Sequence, residues 1–253
     1  ILVGGAALTP GFTRKRIVGS THASYDLEAD SIIPLAVWMR DEISRGLGIG
    51  EEKFCVDGDT ASPHMDTDTT ATDDVRKQVL GLRAHAIDQS FTTSLATFSV
   101  ENLNTMIREL NAYGSNPSEL IWIGAPAERT RLNTVVNAGN IPMVMGSSAT
   151  QPAATITNGF VSNFLGIDYV MMQTFRRDLN ASGWYDSTTG KTALLLVNTR
   201  RWILAYDNLT PTYETMRWPR TQQFEIVVAM RRDFRNVDAS TEENVEYGIN
   251  ITV

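Results

Sequence analysis

Apolar side chains at Ile32, Ala36, Met39 and Ile43 recur at spacings that place them on one face of a helix over residues 31–45. Ile33, Leu35 and Trp38 widen that stripe. Asp30 or Ser31 can accept hydrogen bonds from the first free backbone N–H groups, and Pro34 falls within the first turn, where its missing donor is harmless. Gly46, Gly48 and Gly50 each weaken a helix by about 1 kcal/mol relative to Ala, so a kink or stop is expected among them. Glu51, Glu52, Phe54 and Val56 then lead into Asp57-Gly58-Asp59, a predicted turn because Asp-Gly readily adopts positive φ. On pattern alone, residues 30–59 read first as an ordinary core helix with a glycine-rich tail.

Residues 1–29 lack such a period. Small apolar residues at 1–8 are followed by Arg14-Lys15-Arg16, by Ile17-Val18 and by a polar run over 19–24, which predicts an extended surface arm. After the Asp-Gly turn, residues 60–74 are rich in Thr and Asp and predict a long exposed loop. Thr72 and Asp73 should cap a second helix, with Val75, Val79, Leu82 and Ala86 on one face. Ser99 should open a third, burying Leu103, Ile107, Leu110 and Tyr113 and ending at Gly114. Residues 119–124 read as a short buried strand. Pro126 opens a fourth helix carrying Leu132, Val135 and Val136 and stopping at Ala138-Gly139, and residues 139–163 read as loop. From Asp168 the period becomes strand-like, with strands expected at 169–174, 193–198, 202–206, 213–218, 223–232 and 244–253. The middle of the fifth, Phe224-Glu-Ile-Val-Val-Ala-Met230, is apolar enough for a strand covered on both faces. The fold class is α+β, with no internal repeat and no linker separating independent domains.

Composition narrows the chemistry. Hydrophobic residues at 42% and charged residues at 20% describe a folded chain, and its 253 residues suffice for a substantial core. A net charge of −7 makes it a poor general binder of a nucleic-acid backbone, and Arg14-Lys15-Arg16 has no interleaved aromatics. Cys55 is the only cysteine, which excludes an intrachain disulfide and a cysteine-built metal site. His22, His64 and His85 stand in no metal-binding spacing. Asp66-Thr-Asp68 begins like a calcium loop, but Ala71 occupies the tight-turn glycine position and Lys77 the bidentate glutamate position. Gly146-Ser147-Ser148 lacks the context of a nucleophile elbow, and the Gly46-Gly48-Gly50 run follows a helix rather than a strand. Glu51-Glu52 and Glu242-Glu243 are adjacent pairs, which does not set two acids across a cleft. Neither catalytic, cofactor-binding nor metal-binding residues are expected.

TRKR at 13–16, EEKFCVDGD at 51–59, LIWIGAPAERTRLNTV at 120–135, RRWILAYDN at 200–208 and FEIVVAMRRDFRNV at 224–237 follow one another along the chain. Their order resembles that of the major capsid proteins of tailed phages with the HK97 fold. The resemblance implies an extended loop over 1–29, a spine helix over 30–59, a mainly axial domain over 60–198, and strands over 199–253 that return through a peripheral domain and end in the body. It implies a subunit that assembles with many copies of itself, as hexamers and pentamers, into an icosahedral shell around double-stranded DNA in a virion built in the bacterial cytoplasm. Scaffold, portal and a decoration or cement protein are the further partners it implies, with DNA packaged without sequence-specific contact. Lys15 lies in the loop that carries the family's crosslinking lysine, but no Asn and Glu partners are identifiable, so no crosslink is expected. Ile1 in place of Met fits processing or a sequence that begins inside a longer chain.

A closed shell reuses several contact patches on every copy. The expected inter-subunit residues are Arg14, Lys15 and Arg16 reaching acids such as Glu51 and Glu52, with Arg200, Arg201, Arg231 and Arg232 as further candidates. An encapsulin-like nanocompartment shell is the alternative within the fold. From a different class, a soluble α+β hydrolase or ligand-binding protein stays open.

Overall fold

The computed structural model describes residues 13–32, 34–134, 160–206 and 211–252. Two sheets and one long helix organise them. The first sheet is built around β9 (Gln223–Asn236), which pairs along one edge with β1 (Lys15–Ser24), from Lys15↔Arg232 to Ser24↔Gln223. Its other edge takes β8 (Thr212–Trp218) opposite residues 223–229 and β7 (Trp202–Tyr206) opposite residues 232–236, all antiparallel. Residues expected in the arm are therefore, from Lys15 to Ser24, a strand of the chain's own sheet. Phe224, Ile226, Val228 and Met230 point to the buried face and Glu225, Val227 and Arg231 to the other, so β9 alternates where the apolar run predicted cover on both faces. It also extends past the expected end at Arg232 to Asn236.

Helix α2 (Leu35–Val56) lies on the buried face of this sheet. It does not start where the pattern placed it. A short α1 (Tyr25–Asp30), capped by the Ser24 hydroxyl accepting from the Leu27 N–H at 3.2 Å, precedes it, and Pro34 stands at its start without a side-chain cap. Ile32 is fully exposed and Trp38 is 56% exposed, so the buried stripe begins in earnest at Met39 and continues through Leu47, Phe54 and Val56. The helix also runs unbroken through Gly46, Gly48 and Gly50. Packing of Met39 and Phe54 on either side of the glycines, and of Leu47 among them, outweighs their propensity cost, as tertiary contact usually does. Gly19 on β1 lets the helix approach, because a Cβ there would sit 3.1 Å from Ile43 Cγ2.

The second sheet has the order β2-β10-β6-β3-β5-β4. Its strands are β2 (Thr92–Ser94), β3 (Leu120–Gly124), β4 (Phe160–Phe164), β5 (Ile167–Met171), β6 (Lys191–Asn198) and β10 (Val245–Thr252). In β6, Ala193, Leu195 and Val197 enter a core shared with Phe54, Val56, Trp202 and Phe234, while Leu194 and Leu196 enter another with Leu103, Met106 and Trp122. Cover on both faces explains its continuous apolar run. The second core is closed by α4 (Val100–Glu109), where the Ser99 hydroxyl caps as expected, accepting from the Asn102 N–H at 3.3 Å. Met106 rather than Ile107 holds its deepest position, and the helix ends at Glu109, giving way to a 3₁₀ turn over Asn111–Gly114.

The second predicted helix is split into a 3₁₀ turn, Val75–Lys77, capped by Asp74, and α3 (Leu82–Asp88). Gly81 interrupts it: its N–H donates to Gly58 O at 2.8 Å, and a Cβ at Gly81 would lie 2.7 Å from Gly58 N. Helix α5 (Pro126–Thr134) starts at the predicted proline and buries Leu132. Val135, Val136, the stop at Ala138-Gly139 and Gly146-Ser147-Ser148 lie outside the described residues. Phe160–Phe164, assigned to loop by its sequence, is β4, and the strand expected at 169–174 is Ile167–Met171.

Candidate functional site

The polar feature that sequence missed begins where α2 ends. Asp57 caps the helix and is buried, and its carboxylate accepts from Arg83 Nη1 at 2.5 Å. Arg83 is itself fully buried on α3. Its remaining donors go to Asp66 at 3.0 and 3.2 Å, to Gly183 O at 2.9 Å and to the Tyr247 hydroxyl at 3.0 Å. Burial alone would pull the guanidinium down; Tyr247, Asp57 and Asp66 together hold it well above its ordinary value. Asp66 also accepts from Arg176 Nη1 at 3.3 Å and from the Tyr185 N–H at 3.2 Å. Arg176 continues to Asp68 at 2.9 Å and to Asp178, and its guanidinium stacks on Tyr185. Arg76 joins Asp68 to Asp74, where its hydrogen bonds hold the Asp74 carboxyl below the usual range.

Residues 60–74 are the mostly exposed loop that was expected, but the network pins its middle, burying His64, Met65, Asp66 and Thr69. It also accounts for the calcium-like run, whose carboxylates face guanidinium groups. One signal was available: Arg83 sits among Leu82, Ala84 and Ala86 in an apolar helical pattern, where a cation needs a buried partner.

The predicted contact residues separate into two groups. Glu51 Oε1 accepts from Arg232 Nε at 2.7 Å, and Arg232 stacks on Tyr206, so this acid and this arginine tie α2 to β9 within the chain. Arg201 pairs with Asp238 at 3.4 Å and stacks on Tyr113. Lys15, opposite Arg232, is half-buried. Arg14, Arg16, Arg200 and Arg231 are exposed, and Arg16 stands directly across from Arg231 on the sheet face turned away from α2. Glu52 is exposed and accepts from the Thr174 hydroxyl at 3.1 Å. His64 accepts from the Asp66 N–H at 2.9 Å, and His85 packs edge-on to Trp202, with burial lowering its pKa.

Exposed apolar surface was also invisible to the periodicity. All of β8 is exposed. By the β1–β9–β8 register, Val18, Met216 and Trp218 share the outer face of the sheet, each about half exposed. Val37, Trp38 and Ile49 are exposed on α2, and a Cβ at Gly46, Gly48 or Gly50 would meet no other atom within 4 Å. Among the described residues, β1 and β8 each pair only with β9, which leaves an open edge on both. Between α2 and the second sheet runs an apolar cleft of about 460 Å³ lined by Cys55, Ile121, Ile123, Val170 and Trp202. Burial pushes the Cys55 thiol up to about 12, so at neutral pH it is no nucleophile.

No protein-family model matches the sequence, and no curated protein does. Solved structures do. A subunit of the satellite phage P4 procapsid, which includes the size determination (Sid) protein, matches 100% of this chain and 88% of its own at TM-score 0.55 and 12% identity. The capsid of a native GTA particle matches 96% and 74% at TM-score 0.61 and 8% identity. The holo-SrpI encapsulin complex from Synechococcus elongatus PCC 7942 matches 94% and 74% at TM-score 0.53 and 10% identity.

Proposed function

We propose, from the HK97-like capsid fold that this chain adopts, that it is a major capsid protein whose copies assemble into the icosahedral shell of a double-stranded DNA phage. The observation that carries this reading is the extent of the likeness: solved capsid structures match 100% and 96% of the chain. The surface chemistry agrees with it. An outer sheet face with Val18, Met216 and Trp218, open edges on β1 and β8, and the uncovered side of α2 are features that repeated copies bury. With Glu51 and Arg232 engaged inside the chain, the residues proposed to contact neighbours are Arg14, Arg16, Arg231, Arg200 and Glu52. No enzymatic role is proposed. Hexamers and pentamers of the chain are the assembly units on this reading. Scaffold, portal and a decoration protein are further proposed partners, the virion is the proposed location, and its DNA is held without sequence-specific contact. Among the described residues no helix is long and apolar enough to cross a membrane.

Size-exclusion chromatography and negative-stain microscopy of the full chain test the proposal. Shells, or rings that convert to shells, are expected; a small compact particle at every concentration would sink it. The encapsulin likeness supports a second reading, a nanocompartment shell. Particles purified from cells separate the two, since the first reading expects packaged nucleic acid and the second a protein cargo.

A further inference from the structure

Strand β10 carries a carboxylic acid in a place where the sheet is otherwise apolar. Glu246 lies opposite Leu196 of β6, on the face that α4 covers, and is 1% exposed. Its Oε1 accepts from the Thr93 hydroxyl of β2 at 2.6 Å, whereas its buried Oε2 finds no donor and has the Glu243 carboxyl within hydrogen-bonding reach. The groups around it carry the same sign. Glu243 approaches from the loop that leads into β10, and Glu109 from the last position of α4. From β2 and β6 come Thr93 and Leu196, neither of which carries charge. The cation on α4, Arg108, is mostly exposed and pairs with Glu109 at 3.1 Å. Beyond the helix, the Tyr113 hydroxyl donates to Glu242, which keeps that acid on the outer side of the turn.

We propose that Glu246 is a buried proton-binding site, held as a neutral carboxylic acid, and that its ionisation is a switch that loosens the C-terminal end of α4 and the edge strand β2 from β10. A carboxylate there would be dry, with one hydroxyl donor for two oxygens and two glutamates beside it. The protonated form adds no third charge and needs no further cation.

The thermodynamic direction agrees. Burial first, then Glu243 and Glu109, push the Glu246 carboxyl from 4.5 up to about 8, against the pull of the Thr93 bond. Between those two values the folded chain holds a proton that the unfolded chain has released. Stability therefore falls as pH rises across that window, by up to about tenfold in the folding constant per pH unit, and levels off above the folded value.

The test is denaturant unfolding of the full chain from about pH 5 to about pH 9, compared with Glu246→Gln. The amide keeps an acceptor for Thr93 and cannot ionise. The wild-type midpoint should fall more steeply through the window than that of the variant, to which the other shifted groups contribute equally, so the variant gains on the wild type toward the alkaline end. Hydrogen exchange, corrected for intrinsic rate, should then be faster in Thr92–Ser94 and Val100–Glu109 of the wild type than in the variant. Parallel pH profiles for the two proteins would overturn the proposal. Should the Gln variant not fold, Glu243→Gln gives the second route: removing that charge should move the stability transition to lower pH, and an unmoved transition overturns the proposal equally.

Discussion

The two sheets solve opposite problems. In the second, β6 sends Ala193, Leu195 and Val197 one way and Leu194 and Leu196 the other, and both sets are buried within the chain. In the first, β9 buries one side against α2 and leaves the other carrying Val18, Met216 and Trp218 to solvent. A sheet closed on both faces supplies stability to the single chain. On the proposed shell reading, a sheet finished on one face has a surface that neighbouring copies would cover, and the exposed side of α2 shares that character. Substitutions in the two regions should therefore be read by different instruments: unfolding for the closed sheet, assembly for the open one.

The largest effect expected on the closed side is from Trp122→Ala. The ring is fully buried in the second core and its Nε1 donates to Phe164 O at 3.3 Å. Its removal should cost about 3–5 kcal/mol, read by urea unfolding, and lower the yield of folded chain. Arg83→Met is of similar size. It leaves Asp57 and Asp66 buried without the cation that holds them, which costs about 3–5 kcal/mol. An Arg83→Met chain as stable as the wild type would mean that the network is held by Arg176 alone.

On the open side, Trp218→Ser should leave the unfolding midpoint within about 0.5 kcal/mol of wild type, since the ring is 48% exposed and its Nε1 reaches only Glu225. Light scattering should nevertheless show slower or incomplete shell formation. If Trp218→Ser destabilised the chain as Trp122→Ala does, or assembled normally, the contrast between the sheets would fail.

Local signals in the sequence carried far, and long-range ones did not. The Ser99 cap, the strand at Leu120–Gly124, the proline start of α5 and the Trp202–Tyr206 strand were legible because each depends on a few neighbouring residues. The Arg83 network was not, since it gathers Asp57, Asp66, Gly183 and Tyr247 from four separated segments. Glu51 and Arg232 were chosen as contacts between copies for their charge, and that same charge pairs them within one chain. The apolar run predicted cover on both faces of β9, but which neighbour covers which face is a property of topology. The glycines of α2 misled for a related reason: propensity predicted a break, and packing on both sides of them removed it.

Those glycines also supply the smallest and most discriminating prediction. Gly46 and Gly48 are exposed, helical and free of any contact that a Cβ would disturb. Replacing either with Ala should stabilise the isolated chain by about 1 kcal/mol, because the helix gains propensity and loses nothing. Nothing among the described residues explains why a glycine stands at a position that penalises it. A neighbour's backbone passing close over the helix would, since a methyl group there holds the two chains apart. Gly48→Ala should therefore raise the unfolding midpoint of the subunit while weakening assembly, two effects of opposite sign from one methyl group. Assembly that improved in step with stability would place the contact elsewhere, on the outer face of the β1–β9–β8 sheet.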